Sequence, residues 1–357
     1  MGRAVQSIDI YKLEPGMVLA REILHKGIVL VNKDVVITST IISSLENYLI
    51  FEPVLVYIEN KPEDIVDKKT EKAIDNSVAE IEESFNGFAN VVEYMFNNLF
   101  CEDMTYIEEI EKFSKKIQSE LNATGAIVKN IVLYGSGEDC IYRHSVNVAA
   151  LSSILGKWVG LDSNEIELLT YSAMLHDIGK AKIDEKILNK VEPLSQNEFS
   201  TIKNHSVIGY NLIKQIPNLH DSVLYGVLMH HERLDRSGYP LGVEENKIHK
   251  FAKIIAIADT FDAVNSNRVY KKKRGPFQAL EIIQKESLGK LDYEYCKIFL
   301  EHIINYYIGE EVILNTNKVC KILQINLNDL SRPLLLDDSE FLDLAKHKEL
   351  IVENLVV

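Results

Sequence analysis

The sequence predicts a mainly α-helical protein with a small β-rich segment at each end. Three observations lead there. From about residue 104 to 309, apolar residues recur at helical spacing and β-branched runs are few. Residues 1–60 instead carry short β-branched runs between turn signals. Residues 310–357 return to short apolar runs around Asn315-Thr316-Asn317.

Taken in order, residues 1–65 read as an α+β module. Val18–Ala20, Ile28–Val31 and Val54–Tyr57 are its strands, separated by Pro15-Gly16, Lys26-Gly27 and Asn32-Lys33-Asp34. One helix over about 39–49 starts at a Ser39/Thr40 cap. Residues 61–70 are charged and read as a linker. Residues 66–125 form a helical connector. In it Ile74, Val78, Ile81, Phe85, Phe88, Val92, Met95 and Leu99 alternate by four and three, the period of a coiled-coil seam. Such a seam packs either against the chain's own helices or against a second copy or a signalling-protein partner. Gly87 inside it weakens the intermolecular reading. Residues 126–309 form the main helical domain. Residues 310–357 form a small β-subdomain with strands near 312–314, 319–322 and 333–336.

With 357 residues, 46% of them apolar, the chain can build two or more cores. No stretch approaches the roughly 18 uninterrupted apolar residues of a membrane span. The start, Met1 to Gln6, lacks a signal-peptide run, and Gln6 breaks the myristoylation pattern. Cys101, Cys140, Cys296 and Cys320 are scattered without CxxC spacing, so a reducing cytoplasm is expected. The net charge of −14 argues against binding bulk nucleic acid through a basic surface. A small anionic substrate stays compatible, because metal ions and a few local cations reverse the field inside one pocket.

The chemistry concentrates in His144, His176-Asp177, His205, His230-His231 and Asp259. Adjacent His-Asp and His-His pairs are hard to justify in an ordinary core. Imidazole with carboxylate suits iron, manganese, zinc or nickel. The set is too large for one ion and sufficient for two, a common device for hydrolysing phosphate esters. His176 and Asp177 point about 100° apart on a helix, so both reach one centre only near a helix end, where the carboxylate can bridge two ions. Lys180, about one turn beyond His176 on the same side, is placed to hold a phosphate oxygen. Asp259 ends an apolar run, where an unpaired carboxylate would be costly. His25, His220, His249, His302 and His347 have no such company and read as ordinary.

His176-Asp177-Ile-Gly-Lys180, then His230-His-Glu-Arg-Leu-Asp-Arg-Ser-Gly-Tyr-Pro240, then Ile257-Ala-Asp-Thr-Phe-Asp-Ala263 before Arg268-Val-Tyr-Lys271 resemble the HD-GYP family of the HD superfamily of metal-dependent phosphohydrolases. The resemblance covers about residues 126–309. Residues 8–60, with Leu13-Glu-Pro-Gly-Met-Val-Leu19, look like the small domain that often precedes HD-GYP domains. What the resemblance implies is a helical HD-type domain with its small N-terminal α+β module and C-terminal β-subdomain. It implies a phosphodiesterase that hydrolyses cyclic di-GMP, a bacterial second messenger, to pGpG and onward to GMP. It also implies two or three iron or manganese ions, with nickel or zinc as further candidates. Carried over, the ligands are His144, His176, Asp177, His205, His230, His231 and Asp259, with Asp177 bridging. Lys180 contacts the scissile phosphate, Arg268 and Lys271 bind substrate phosphates, and Tyr239 lies in the loop beside the site.

In that reading two metal ions activate water near neutral pH, and with Lys180 they neutralise charge on the equatorial phosphoryl oxygens. Several positions depart from the family pattern. Cys140 stands where trinuclear members carry a glutamate, so two ions are expected. Arg236 replaces a glycine in the loop, with strain if its φ is positive. Lys253 and Lys271 stand for arginines and lose the bidentate fork, and Val269 stands for a proline. Asn317-Lys-Val-Cys320 replaces a glycine-rich turn. Two alternatives follow: a cyclic-dinucleotide receptor with weak turnover, and a phosphodiesterase for another substrate such as cyclic GMP-AMP.

Overall fold

The computed structural model describes residues 5–8, 13–14, 16–25, 28–31, 33, 35–37, 41–42 and 54–57, then 68–98, 112, 114–116, 124–136, 141–266, 276–337 and 340–356. The chain divides into two compact units, residues 1–77 and 78–357.

In the first unit, β1 (Val5–Ile8) pairs antiparallel with β4 (Val54–Tyr57), and β2 (Ile23–His25) pairs with β3 (Ile28–Val31). The expected strand at Val18–Ala20 is reduced to two isolated bridges, Val18 to Val36 and Leu19 to Val56. Its centre is still the core: Leu19, Ile37, Val54 and Val56 are buried together with Leu13, Ile23 and Val31. Residues 41–42 are helical, but most of the helix expected over 39–49 lies outside the described residues.

Helix α1 (Lys68–Asn98) carries the 3.5-residue seam. Ile81, Phe85, Ala89, Val92 and Met95 are buried in the same cluster as the helices that follow, so this part of the seam packs against its own domain. Arg143 anchors it further: its guanidinium lies 5.1 Å over the Phe85 ring and 2.7 Å from Glu82 Oε2.

The second unit continues through α2 (Thr124–Tyr134), α3 (Ile141–Trp158) and α4 (Ser163–Leu175). A 3₁₀ turn follows (Ile178–Lys182), then α5 (Glu185–Leu188), α6 (Gln196–Lys203) and α7 (His205–Ile213). The last helices are α8 (Asp221–Met229), α9 (Lys250–Asn265), α10 (Gln278–Glu286) and α11 (Tyr293–Ile303). Helix α3 is the central element: Arg143 through Gly156 are all buried, as expected for a helix surrounded by others. Capping boxes start α4 (Asp162 with Glu165) and α6 (Ser195 with Glu198), each satisfying two of the donors that a helix start leaves open.

The C-terminal segment forms a five-stranded antiparallel sheet in the order β8-β7-β6-β5-β9, with β5 Glu311–Leu314, β6 Val319–Asn326, β7 Asp329–Asp337, β8 Glu340–Asp343 and β9 Val352–Leu355. The first three match the expected runs; β8 and β9 carry weaker apolar alternation and were not anticipated. Asn317 takes a left-handed φ of 61° in the β5–β6 turn, a conformation asparagine tolerates. Val312, Leu314, Cys320 and Ile322 face inward and join the helical core cluster.

Candidate metal centre

Three of the expected ligands stand where helices stop. His176 is the C-cap of α4, His230 is the C-cap of α8, and His205 opens α7 directly after α6 ends. The last carbonyls of a helix have no intrahelical partner. Each of these histidines takes one, three residues back: His176 Nδ1 bonds Ala173 O, His205 Nδ1 bonds Ile202 O and His230 Nδ1 bonds Val227 O, all at 2.7 Å. A carbonyl only accepts, so Nδ1 carries the proton and Nε2 presents a lone pair. This is the outer-shell arrangement that orients metal-binding histidines.

His144 and Asp259 come instead from within helices, α3 and α9. His144 Nδ1 donates to Asp262 Oδ2 at 2.7 Å, and His144 Nε2 faces Asp259 Oδ1 at 3.1 Å. The candidate ligand atoms fall into two groups, Asp177, His205, His230 and His231 in one and His144, His176 and Asp259 in the other, each within 4.8 Å of one another.

Asp177 lies between them. Its Oδ1 is 3.3 Å from His205 Nε2, while Oδ2 is 3.4 Å from His176 Nε2 and 3.9 Å from His144 Nε2. Asp259 likewise faces both, with Oδ2 3.9 Å from His231 Nδ1. Lys180 Nζ is 2.5 Å from Asp177 Oδ2. This corrects the expectation that Lys180 stacks one α-turn beyond His176. The segment is a 3₁₀ turn, which repeats every three residues, so Lys180 returns over Asp177.

The donor set fits a divalent cation. His176 Nε2 and Asp177 Oδ1 are buried without a hydrogen-bond partner, and His205 Nε2 and His230 Nε2, both lone-pair atoms by the argument above, lie 3.2 Å apart. Only a cation or a proton between such atoms relieves them. Protonation states agree. Burial lowers His205 and pushes His231 down to about 3; it lowers His230 far below the usual range, with His231 adding to the effect. Burial opposes ionisation of Asp177, but Lys180 and His176 outweigh it and hold the carboxyl well below its usual value. At Asp259 the hydrogen bond from His144 does the same. His144 is the exception. Burial disfavours its charge, yet the bonds to Asp259 and Asp262 raise it to about 9.

The Gly-Tyr-Pro loop is pinned to the centre by Glu232, whose Oε1 accepts from Leu241 N at 2.6 Å and Gly242 N at 3.2 Å. A Cβ on Gly238 would sit 2.3 Å from Arg233 N, and one on Gly179 would sit 1.9 Å from His205 O. Both glycines therefore serve close backbone approach. The Tyr239 ring lies 4.6 Å from the His231 ring, and Lys203 Nζ stands 5.3 Å over it. Arg236 does adopt a left-handed φ of 65°. Lys253 is not at the centre: it pairs with Asp292 at 3.0 Å, so its difference from arginine is a matter of helix packing. Cys140, Val269, Arg268 and Lys271 lie outside the described residues. Of the other histidines, His220 and His249 cap helices, His302 stacks on Trp158 and His347 faces Glu349, in keeping with ordinary roles.

Sequence reasoning assigned no role to Asp262, Asn147 or Glu232. A signal for Asp262 was present, because it follows Asp259 by three residues and so shares its helix face.

Residues 128–294 match the family model of the HD domain. This segment is similar to HD domains. Its motifs are similar to those of the HD-GYP type, and its two His/Asp clusters could hold metal ions. Over 226 residues the chain is 28% identical to a cyclic di-GMP phosphodiesterase of Pseudomonas aeruginosa, covering 63% of this chain and 53% of the relative. Over 189 residues it is 31% identical to a 3'3'-cGAMP-specific phosphodiesterase of Vibrio cholerae, covering 53% of this chain and 43% of the relative. The chain thus spans about half the length of the curated relatives it matches. Its fold resembles that of an HDG"Y"P protein from Bdellovibrio bacteriovorus, with a TM-score of 0.53 at 16% identity over 84% of this chain and 99% of that one. No helix among the described residues is long and apolar enough to cross a membrane.

Proposed function

We propose that this chain is a metal-dependent phosphodiesterase that hydrolyses cyclic di-GMP to pGpG and onward to GMP. The carrying observation is Asp177, a carboxylate with one oxygen toward each ligand group and Lys180 on its outer side. Asp177, His205, His230 and His231 would hold one ion; Asp177, His176, His144 and Asp259 would hold the second. Iron or manganese suits this donor set, and two ions suit the replacement of a family glutamate by Cys140. When bound, the metals supply Lewis acidity that lowers the pKa of water and offsets phosphoryl charge.

The chain's own residues do the rest. Asp177 can accept the proton that the attacking water gives up, being held ionised at neutral pH. Lys180, 24% exposed, is free to swing from Asp177 to a phosphate oxygen and stabilise charge there. Tyr239, whose hydroxyl burial keeps protonated, offers a ring face and a donor on the open side of the centre, where Asp259 and His231 keep 14% and 19% of their side chains exposed. Arg268 and Lys271 are assigned to substrate phosphates on their motif alone. Cys296, a buried free thiol, accords with a reducing cytoplasmic setting.

The test is anaerobic purification, quantification of iron and manganese per chain, and incubation with cyclic di-GMP. Release of pGpG or GMP supports the proposal. Binding without release would make the protein a receptor, and three metals per chain would overturn the count. The likeness to the Vibrio enzyme favours a second reading, cleavage of 3'3'-cyclic GMP-AMP. Competition between the two cyclic dinucleotides decides between them through the ratio of kcat/KM.

A further inference from the structure

Unlike the helix-end histidines, His144 is oriented by a side chain. Its Nδ1 donates to Oδ2 of Asp262, a fully buried carboxylate that Ser136 Oγ also approaches. Asp262 Oδ1 accepts from Asn147 Nδ2 at 2.9 Å. Asn147 Oδ1 accepts from Arg143 Nε at 3.0 Å, one turn back on α3. Arg143 is then held by α1: Nη2 donates to Glu82 Oε2 at 2.7 Å and Nη1 to Asn86 Oδ1 at 2.7 Å. Asn130 of α2 closes the far end, accepting from Arg143 at 2.8 Å and donating to Glu82 at 2.9 Å.

We propose that Glu82, Arg143, Asn147 and Asp262 form one positioning chain that fixes the orientation of His144 and makes helix α1 a determinant of metal affinity. The inference rests on His144 being a ligand, as in the proposed function. Every link has only one workable polarity. Arg143 can only donate and the Asp262 carboxylate can only accept, so the Asn147 amide between them cannot flip. Asp262 then requires the proton on His144 Nδ1, which directs the Nε2 lone pair to the centre. Arg143, Asn147 and Asp262 are all buried, so a break anywhere leaves a charge or amide without its partner in low dielectric. Glu82 is the accessible end, with 31% of its side chain exposed, on helix α1.

The experiment uses the full chain loaded with Mn²⁺ and measures stoichiometry and affinity by competition with a chelator, with the melting temperature of the metal-free protein as a fold check. Asp262→Asn should weaken the His144-dependent ion by about 10- to 100-fold. With its carbonyl toward His144, the new amide sets NH₂ against NH₂ at Asn147. Adding Asn147→Asp should recover most of that loss, because a carboxylate at position 147 accepts from both Arg143 and the new amide. Glu82→Gln should weaken the same ion severalfold, and its effect should not add to that of Asp262→Asn. A merely structural role predicts lower melting temperatures but no recovery of affinity in the exchanged pair. Should Asp262→Asn fail to fold, Glu82→Gln alone carries the test. Wild-type affinity in a folded Glu82→Gln or Asp262→Asn protein, with His144→Ala still losing the ion, overturns the positioning chain alone. Unchanged metal binding in His144→Ala overturns the ligand assignment and the chain with it.

Discussion

His176, His205 and His230 stand at helix ends and are oriented by main-chain carbonyls, whereas His144 stands inside α3 and is oriented by Asp262. The difference teaches where the centre is rigid and where it is adjustable. A carbonyl three residues back belongs to the same turn as the histidine it holds, so those ligands move only if the helix end moves. Asp262 belongs to another helix and depends on Asn147, Arg143 and Glu82 in turn. Changes anywhere along that line reach the metal site through side chains alone.

The largest expected effect removes the residue the two halves share. Asp177→Ala should lower turnover by at least about three orders of magnitude, because it deletes a ligand from both groups and unpairs Lys180. A kcat within tenfold of wild type in metal-loaded protein would break the comparison outright. Next come the two glycines that allow close backbone approach at the centre. Gly179→Ala drives a Cβ into His205 O, and Gly238→Ala drives one into Arg233 N. Each should cost about 3 kcal/mol of stability, read by denaturant unfolding, since the obstructing atoms are backbone and cannot turn away.

The halves should also respond oppositely to pH in the metal-free protein. His144, raised to about 9, contributes stability that is complete below its unfolded value near 6.5 and lost as pH rises toward 9. His231, lowered to about 3, contributes stability that is complete above about 6.5 and lost as pH falls toward 3. The swings are at most about 3 kcal/mol for His144 and about 5 kcal/mol for His231, so the melting temperature should peak near pH 6.5 to 7. A monotonic profile from pH 5 to 9 would show that the two histidine environments do not differ as described. The smallest effect lies in the loop. Arg236→Gly should raise stability by about 1 kcal/mol, because a left-handed φ of 65° strains any side chain and the exposed pair with Glu244 contributes little. A loss of stability would mean the Arg236–Glu244 contact outweighs the strain.

Much of this site was legible in the sequence because its residues cannot be explained otherwise. Adjacent His-Asp and His-His pairs in apolar runs, with Lys180 close behind, point to a metal-assisted attack on phosphate before any fold is known. The positive φ at Arg236 was also foreseeable, from a glycine position filled by another residue. The seam of α1 was legible as a stripe, but its direction was not. Periodicity reports which face is apolar and is silent on whether the partner is the same chain, and only the packing of Phe85, Val92 and Met95 into the shared core answers that.

Residue type and spacing alone therefore indicated the helical class, the candidate ligand set and the proposed phosphate chemistry, because ligand atoms must be imidazole or carboxylate wherever they sit. The tertiary structure decided the rest: that Lys180 returns over Asp177, that Asp262 and not a carbonyl holds His144, and that Glu82 on α1 belongs to the same polar line. The first is a local turn that periodicity did not reveal; the other two join residues up to 118 positions apart, and no local pattern encodes them, since hydrogen bonds of that kind exist only once the helices have packed.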